Sequence, residues 1–232
     1  MTEPETVLLQ AQQAQLLLYS MGYRRVYGFL PEDPPNRQRS LQLFADLVRK
    51  EILQEQKESL VLQSPWRDCL RGWGEADGVL RLHTADTTIP DCCCYPCGED
   101  VVVCTPQPRR PQMLRLTRLP GKMLWTWMAE NYQLPGEEEG TLFCEQDGQV
   151  DTALAEAWQK GTEPEQLPGF LFVLEYRTWN GTPPRRLAAV QRPLYRQLLV
   201  QREQQVFPLP YREAELQRCL QDWIGPEKEK ET

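Results

Sequence analysis

Asp91–Cys104, which reads DCCCYPCGEDVVVC, is the stretch around which the chain is organised. Val101-Val102-Val103 is β-branched throughout, the composition of a strand. Gly98-Glu99-Asp100 ahead of it is turn-forming. The stretch therefore reads as a β-hairpin with cysteines at its tip. If Cys94 pairs near Val102, Cys92 stands opposite Cys104. Directly opposed residues have Cα atoms about 4.5–5.5 Å apart, within range of a shared ion or a disulfide. Period-2 alternation sends Cys93 to the other face.

Five of the chain's eight cysteines sit here, and three chemistries suit them. Cys94-Tyr95-Pro96-Cys97 is a C-x-x-C, half of a tetrahedral thiolate site. Cys94, Cys97, Cys104 and His83 then form the candidate metal set, with zinc as the ion and Cys92 and Cys69 as further thiols. A redox C-x-x-C normally opens a helix, whose dipole lowers the thiol pKa; here a turn and a strand follow. Reduced cysteine also packs as a small hydrophobe, and core packing is the leading account.

Toward the C-terminus, FLFVLEYRTW (Phe170–Trp179) is the strongest strand signal. Its continuous apolar run suits a central strand covered on both faces. Asn180-Gly181 begins a turn, and Arg186–Gln191 returns as its partner. Pro193 suits the first turn of a helix through about Gln205. A further helix starts at Pro210, with Leu216, Cys219, Leu220 and Trp223 inward. Residues 226–232 read as a disordered tail.

Between these landmarks, residues 105–129 carry no acidic side chain. Arg109, Arg110, Arg115, Arg118 and Trp125 are the candidate contacts for an anionic partner surface. The same residues fit ordinary structure: Met113–Leu119 alternates as a strand with Leu114 and Leu116 inward. Met123–Tyr132 reads as a helix using Leu124, Trp127 and Met128. Asp151–Lys160 is a helix with Leu154, Ala157 and Trp158 inward. Glu137-Glu138-Glu139 suits a solvated loop. Leu142–Gln146 resembles the Leu-x-Cys-x-Glu motif of viral oncoproteins that bind retinoblastoma-family pockets, but ends in Gln146, and no function is assigned to it.

Toward the N-terminus, residues 4–22 fit a helix ended by Gly22, and Tyr23–Leu30 a short strand. Pro31–Asn36 is a loop. Residues 40–57 form the clearest helix, with Ser40 as N-cap and Leu41, Phe44, Leu47, Val48 and Ile52 as its apolar stripe. Ser40-Leu41-Gln42-Leu43-Phe44-Ala45 resembles the elongin-binding box of lentiviral virion-infectivity factors. That resemblance implies that Leu41 enters a pocket on elongin C and that Ala45 permits close approach. Gly72–Gly78 (GWGEADG) is one residue too long for a dinucleotide fingerprint and reads as a turn before a strand, Val79–His83.

The net charge of −7 argues against non-specific binding to nucleic acid or anionic membrane. No apolar run reaches a bilayer's span of about 18 residues. No secretory signal is legible, so the expected compartment is cytoplasmic, with reduced thiols. One histidine and four serines leave little material for a Ser-His-Asp site. Twenty prolines in 232 residues, about 9% against an average near 5%, point to short elements with stiff connections. The expected fold is α+β, a mainly antiparallel sheet with covering N- and C-terminal helices, residues 1–225 forming one domain and residues 1–60 a helical lobe within it. The expected function is that of a non-enzymatic intracellular binding or regulatory protein with a protein partner. No cofactor is expected. The alternative is a zinc- or thiol-dependent protein centred on the Cys92–Cys104 hairpin.

Overall fold

The structure, a computed structural model, describes residues 5–24, 26–136, 152–193 and 195–224. Glu137–Glu139, Leu142–Gln146 and the 226–232 tail lie outside them. Strands are β1 (Glu5–Gln10), β2 (Leu53–Gln56), β3 (Ser59–Leu62), β4 (Gly78–Thr84), β5 (Cys92–Cys97), β6 (Asp100–Gln107), β7 (Arg110–Pro120), β8 (Phe170–Thr178), β9 (Arg185–Gln191), β10 (Arg196–Arg202) and β11 (Gln205–Pro210). Helices among the described residues are α1 (Ala11–Ser20), α2 (Arg37–Arg49), α3 (Trp66–Glu75), α4 (Leu124–Tyr132), α5 (Thr152–Gln159) and α6 (Glu213–Ile224).

Four strands hydrogen-bond in the order β1-β7-β6-β5 and five in the order β4-β8-β9-β10-β11, while β2 and β3 form a separate ribbon. The expected α+β class with a large antiparallel sheet is therefore present. The edges differ: β11 carries Pro208 and Pro210, and β1 carries no proline. The described residues group into two compact units, one within Met1–Val79 and Cys92–Pro120, the other within Leu80–Asp91 and Gly121–Thr232.

In the first unit, β5 and β6 form the expected hairpin around Gly98-Glu99. Gly98 has φ +65°, which suits glycine at the first position of a two-residue type II′ turn. The register is one residue from the expected one. Cys93 opposes Cys104, Cys94 opposes Val103 and Tyr95 opposes Val102. A two-residue loop closing on the Cys97–Asp100 pair fixes this register, and a one-residue slip exchanges faces along the whole strand.

Helix α3 packs over the hairpin. Trp73 stacks on Tyr95 with ring centroids 5.0 Å apart, and both side chains hold the chain that follows α1. Trp73 Nε1 and Tyr95 Oη donate to the Tyr27 carbonyl at 3.1 and 2.6 Å. Residues 23–30 are thus a clamped loop rather than a strand. Gly72 belongs to α3, not to a turn: a Cβ there would meet Val102 Cγ2 at 2.7 Å and Cys97 Sγ at 2.9 Å. Close approach of helix to sheet explains the glycine that turn rules misread.

Two N-terminal boundaries also differ. Glu5–Gln10 is a strand, paired to β7 with Val7 opposite Leu116 and Leu9 opposite Leu114. Val7 and Leu8 extend the helical spacing of Ala11 and Ala14, whereas Val7 and Leu9 alternate as a strand, and the β7 partner decides. Helix α1 then runs to a C-cap at Met21, with Gly22 beyond it at φ +94°. Helix α2 starts three residues before Ser40: Asn36 Oδ1 accepts from the Arg39 N–H at 2.9 Å. It ends at Arg49, because Glu51 at φ +59° turns the chain into β2.

In the second unit, β8 and β9 pair as expected across the Asn180-Gly181 connection, Val173 opposite Ala188 and Tyr176 opposite Arg185. Leu154, Ala155 and Trp158 of α5 pack with Val173, Ala188, Val190, Leu199 and Val206. The alternate row, Phe172, Leu174, Leu187, Ala189, Leu198 and Val200, is also buried. These strands are covered on both faces, which is why β8 reads as a continuous apolar run. The helix expected from Pro193 to Gln205 is instead β10 and β11, joined through Glu203 at φ +56°. Pairing to β9 overrides the helical reading of a segment rich in Arg, Gln and Leu. The last helix forms close to its expected place, with Leu216, Cys219 and Leu220 buried and Trp223 only half-buried.

Candidate functional site

The hairpin's register sorts its cysteines by face. Cys92 and Cys94 share one face, their Sγ atoms 3.9 Å apart. Cys93 and Cys104, opposed in register, share the other face with Tyr95 and Cys97. Cys94 and Cys104 therefore point to opposite sides of the same strands. Among the described residues no group of three or more His, Cys, Asp and Glu side chains is placed to hold a metal ion. The set Cys94, Cys97, Cys104 and His83 is not assembled into a centre. A hairpin gathers cysteines along the chain and then divides them by pleat.

Burial sets the chemistry of several of these thiols. Burial pushes Cys69 up to about 12. Contact with the Cys92 thiol, then burial, raises Cys94 well above its ordinary value, and burial does the same for Cys104. Cys97 is half-buried, and burial raises it too, against the pull of Arg118. A nucleophilic thiol needs the opposite shift.

Cys97 opens on a cavity of about 410 Å³ in the first unit, lined also by Asp68, Arg71, Gly72, Glu75, Gly98 and Arg118. Its charges are matched. Arg118 is held by Asp100 at 2.6 and 2.9 Å, and Arg71 by Glu75 at 2.9 Å. The Ser64 hydroxyl, donating to Asp68 at 2.6 Å, holds that carboxyl below its ordinary value despite partial burial. The groove is a set of satisfied ion pairs.

His83 is half-buried in the second unit. Its Nδ1 lies 2.7 Å from Asp91 Oδ1, and its ring stacks on Phe170 with centroids 5.9 Å apart. Arg81 Nε donates to Asp91 Oδ2 at 3.0 Å. A carboxylate shared by Arg and His fixes the end of β4.

The basic segment is divided as well. Arg109 and Arg110 are exposed at the β6–β7 turn, and Arg115 is exposed on β7. Arg118 is in the ion pair described above. Trp125 is buried at 6% exposure, its Nε1 donating to Glu213 Oε1 at 2.8 Å. It fills the inward position that the sequence reading gave to Trp127, so it is not a contact residue on the surface.

The clearest unsatisfied surface lies on α2. Leu43 and Leu47 are buried and hold the helix to its unit. Leu41 is 64% and Val48 42% exposed, and Ala45 between them is exposed. At 3.6 residues per turn, positions 41, 45 and 48 fall within an arc of about 60°. Leu41 and Val48, expected in the core stripe, lie on the outer face because the helix is seated through Leu43. Leu41 and Ala45, the residues implicated by the elongin-box resemblance, are thus both accessible. Sequence periodicity missed this face because the two apolar rows blend into one broad stripe.

No protein-family model matches the sequence, and no match is found among curated proteins. The fold is similar to a chain of the solved structure of the Mycobacterium tuberculosis type VII secretion system chaperone EspG5 in complex with the PE25–PPE41 dimer. The TM-score is 0.56 at 9% identity, and the alignment covers 95% of this chain and 95% of that one. At that identity the likeness defines a shared α+β architecture. No helix among the described residues is long and apolar enough to cross a membrane.

Proposed function

We propose that this chain is a non-enzymatic protein-binding or regulatory protein of a reducing, cytoplasmic compartment, working through surface contacts. The observation that carries this reading is the outer face of α2, where Leu41, Ala45 and Val48 stand exposed in one row. Exposed large side chains cost little singly, but aligned on one rigid element they are the usual form of a helix contact. Support comes from the architecture shared with one chain of a structure that holds a secretion chaperone and a protein dimer in complex. The raised thiol pKa values favour cysteine as packing material in this reading.

The test is a photo-crosslinking amino acid placed at Ala45 in cells expressing the full chain. A discrete adduct is expected, absent from a Leu41→Asp/Val48→Asp variant whose circular dichroism is unchanged. A chain that yields no adduct at Ala45 is not using this face.

A further inference from the structure

The charges around the exposed row of α2 specify its occupant, on the reading that this row is a protein contact. Arg37, Arg39, Arg49 and Lys50 belong to the helix and its C-cap, with Asp46 as the only acid, in a chain of net charge −7. Asp46 is already committed. It accepts from Gln13 Nε2 at 2.8 Å and pairs with Lys50 at 2.8 Å and with Arg49. Hydrogen bonding from Lys50, with Arg49, holds its carboxyl below the ordinary value despite partial desolvation, so it stays ionised. Arg39 is turned to Gln12, its Nε donating to Gln12 Oε1 at 3.1 Å, so the charge beside the exposed row is that of Arg37 and of Arg49, which shares Asp46 with Lys50. Arg37 and Arg49 border the apolar arc on its two sides, Arg37 exposed and the Arg49 side chain 79% exposed. The surface is an apolar ridge about 10 Å long, spanning Leu41 to Val48 at 1.5 Å per residue, between two cationic rims.

We infer that the outer face of α2 docks an amphipathic helix of a partner protein, whose apolar residues at i, i+4 and i+7 are flanked by Asp or Glu. The i, i+4 row on α2 is the ridge that a second helix accepts in its groove. Acidic side chains beside the partner's stripe meet Arg37 and Arg49 and set the orientation, which is what rim charges do best. An anionic bilayer fits less well. The row holds no aromatic anchor, the apolar arc is narrow, and the −7 chain opposes approach to a negative surface.

The test uses fluorescent 18-residue designed helical peptides with Leu at i, i+4 and i+7, flanked by Glu in one and by Lys in the other. Anisotropy titration with the full chain is expected to show the Glu peptide binding at least about tenfold more tightly. That binding is expected to weaken several-fold between about 50 and 300 mM NaCl, as screening requires. The Arg37→Glu/Arg49→Glu variant is expected to reverse the preference. Equal binding of the two peptides, or none, overturns the inference. So does sedimentation of the chain with phosphatidylserine vesicles that the Leu41→Asp/Val48→Asp variant abolishes. If the Ala45 adduct still forms while the Glu peptide fails, the acidic-helix inference falls and the protein-contact reading stands; loss of the adduct removes both.

Discussion

Gly169 shows how much one hydrogen atom in place of a methyl group can matter here. Its φ is +78°, and an added Cβ would lie 1.9 Å from the Gln191 carbonyl oxygen. That oxygen belongs to backbone, so nothing flexible can yield. Gly169→Ala is expected to lower stability by about 3 kcal/mol or more, read from the urea midpoint. Gly161 is the internal comparison: φ is +102° with nothing within 4 Å. Gly161→Ala meets strain without a clash and is expected to cost roughly 1–2 kcal/mol. Thiols give a second prediction at this scale. Cys97 is half-buried, whereas Cys69, Cys92, Cys93, Cys94, Cys104 and Cys219 are buried. Under native conditions near pH 8, iodoacetamide followed by peptide mass mapping should label Cys97 well before any of those six. Equal labelling of Cys94 would show that the hairpin opens more readily than its burial implies.

Among the elements, α2 separates seating from display. Leu47→Ala, at 0% exposure, is expected to cost about 2–4 kcal/mol in a denaturant titration, and Leu41→Ala, at 64% exposure, less than about 0.5 kcal/mol. Reversal of that order would mean that the helix is turned the other way. The same helix marks how far the sequence can be read. Its existence was legible, because Leu41, Phe44, Leu47 and Val48 repeat at helical spacing. Its rotation was not, because Leu41 and Val48 fit the same stripe, and only tertiary packing decides which row goes inward. The β8–β9 hairpin and the β5–β6 turn were legible from local chemistry, the apolar run and Gly98. Strands β1 and β10 were not, since their pairing comes from residues about a hundred and about ten positions away, respectively. The cysteines were visible as a cluster, yet their division between faces depends on a one-residue register that the hairpin loop alone sets. Asp91 as the partner of His83, and Asp68, Arg71 and Glu75 around the groove, left no signal beyond ordinary charge.

For the molecule as a whole, buried acids of high pKa shape stability against pH. Cys69, Cys94, Cys104 and Tyr95 all stand above their ordinary values, Cys69 at about 12. Each keeps its proton longer in the folded chain than in the unfolded one. The stability this brings is complete below the unfolded thiol value near 9 and is lost as pH climbs toward the folded values. Urea midpoints are expected to be level from pH 7 to 8 and to fall steeply above about pH 9, with a gentler fall in Cys69→Ala. A flat profile to pH 11 would contradict the burial of these thiols. On the acid side, Asp46 and Asp68 stand below their ordinary 3.8. Their contribution is present above that value and disappears as pH falls through the lower folded values.

The contrast between the outermost strands bears on how the protein keeps in a tube. Proline at 208 and 210 denies a newcomer its amide partners on one flank. On the other flank the six residues Glu5–Gln10 lack that guard, and Leu8 stands 45% exposed. Clouding of concentrated stocks should therefore be seeded from the proline-free side, and Leu8→Lys should lengthen the lag before light scattering rises, while a charge added on the guarded flank leaves it as it was.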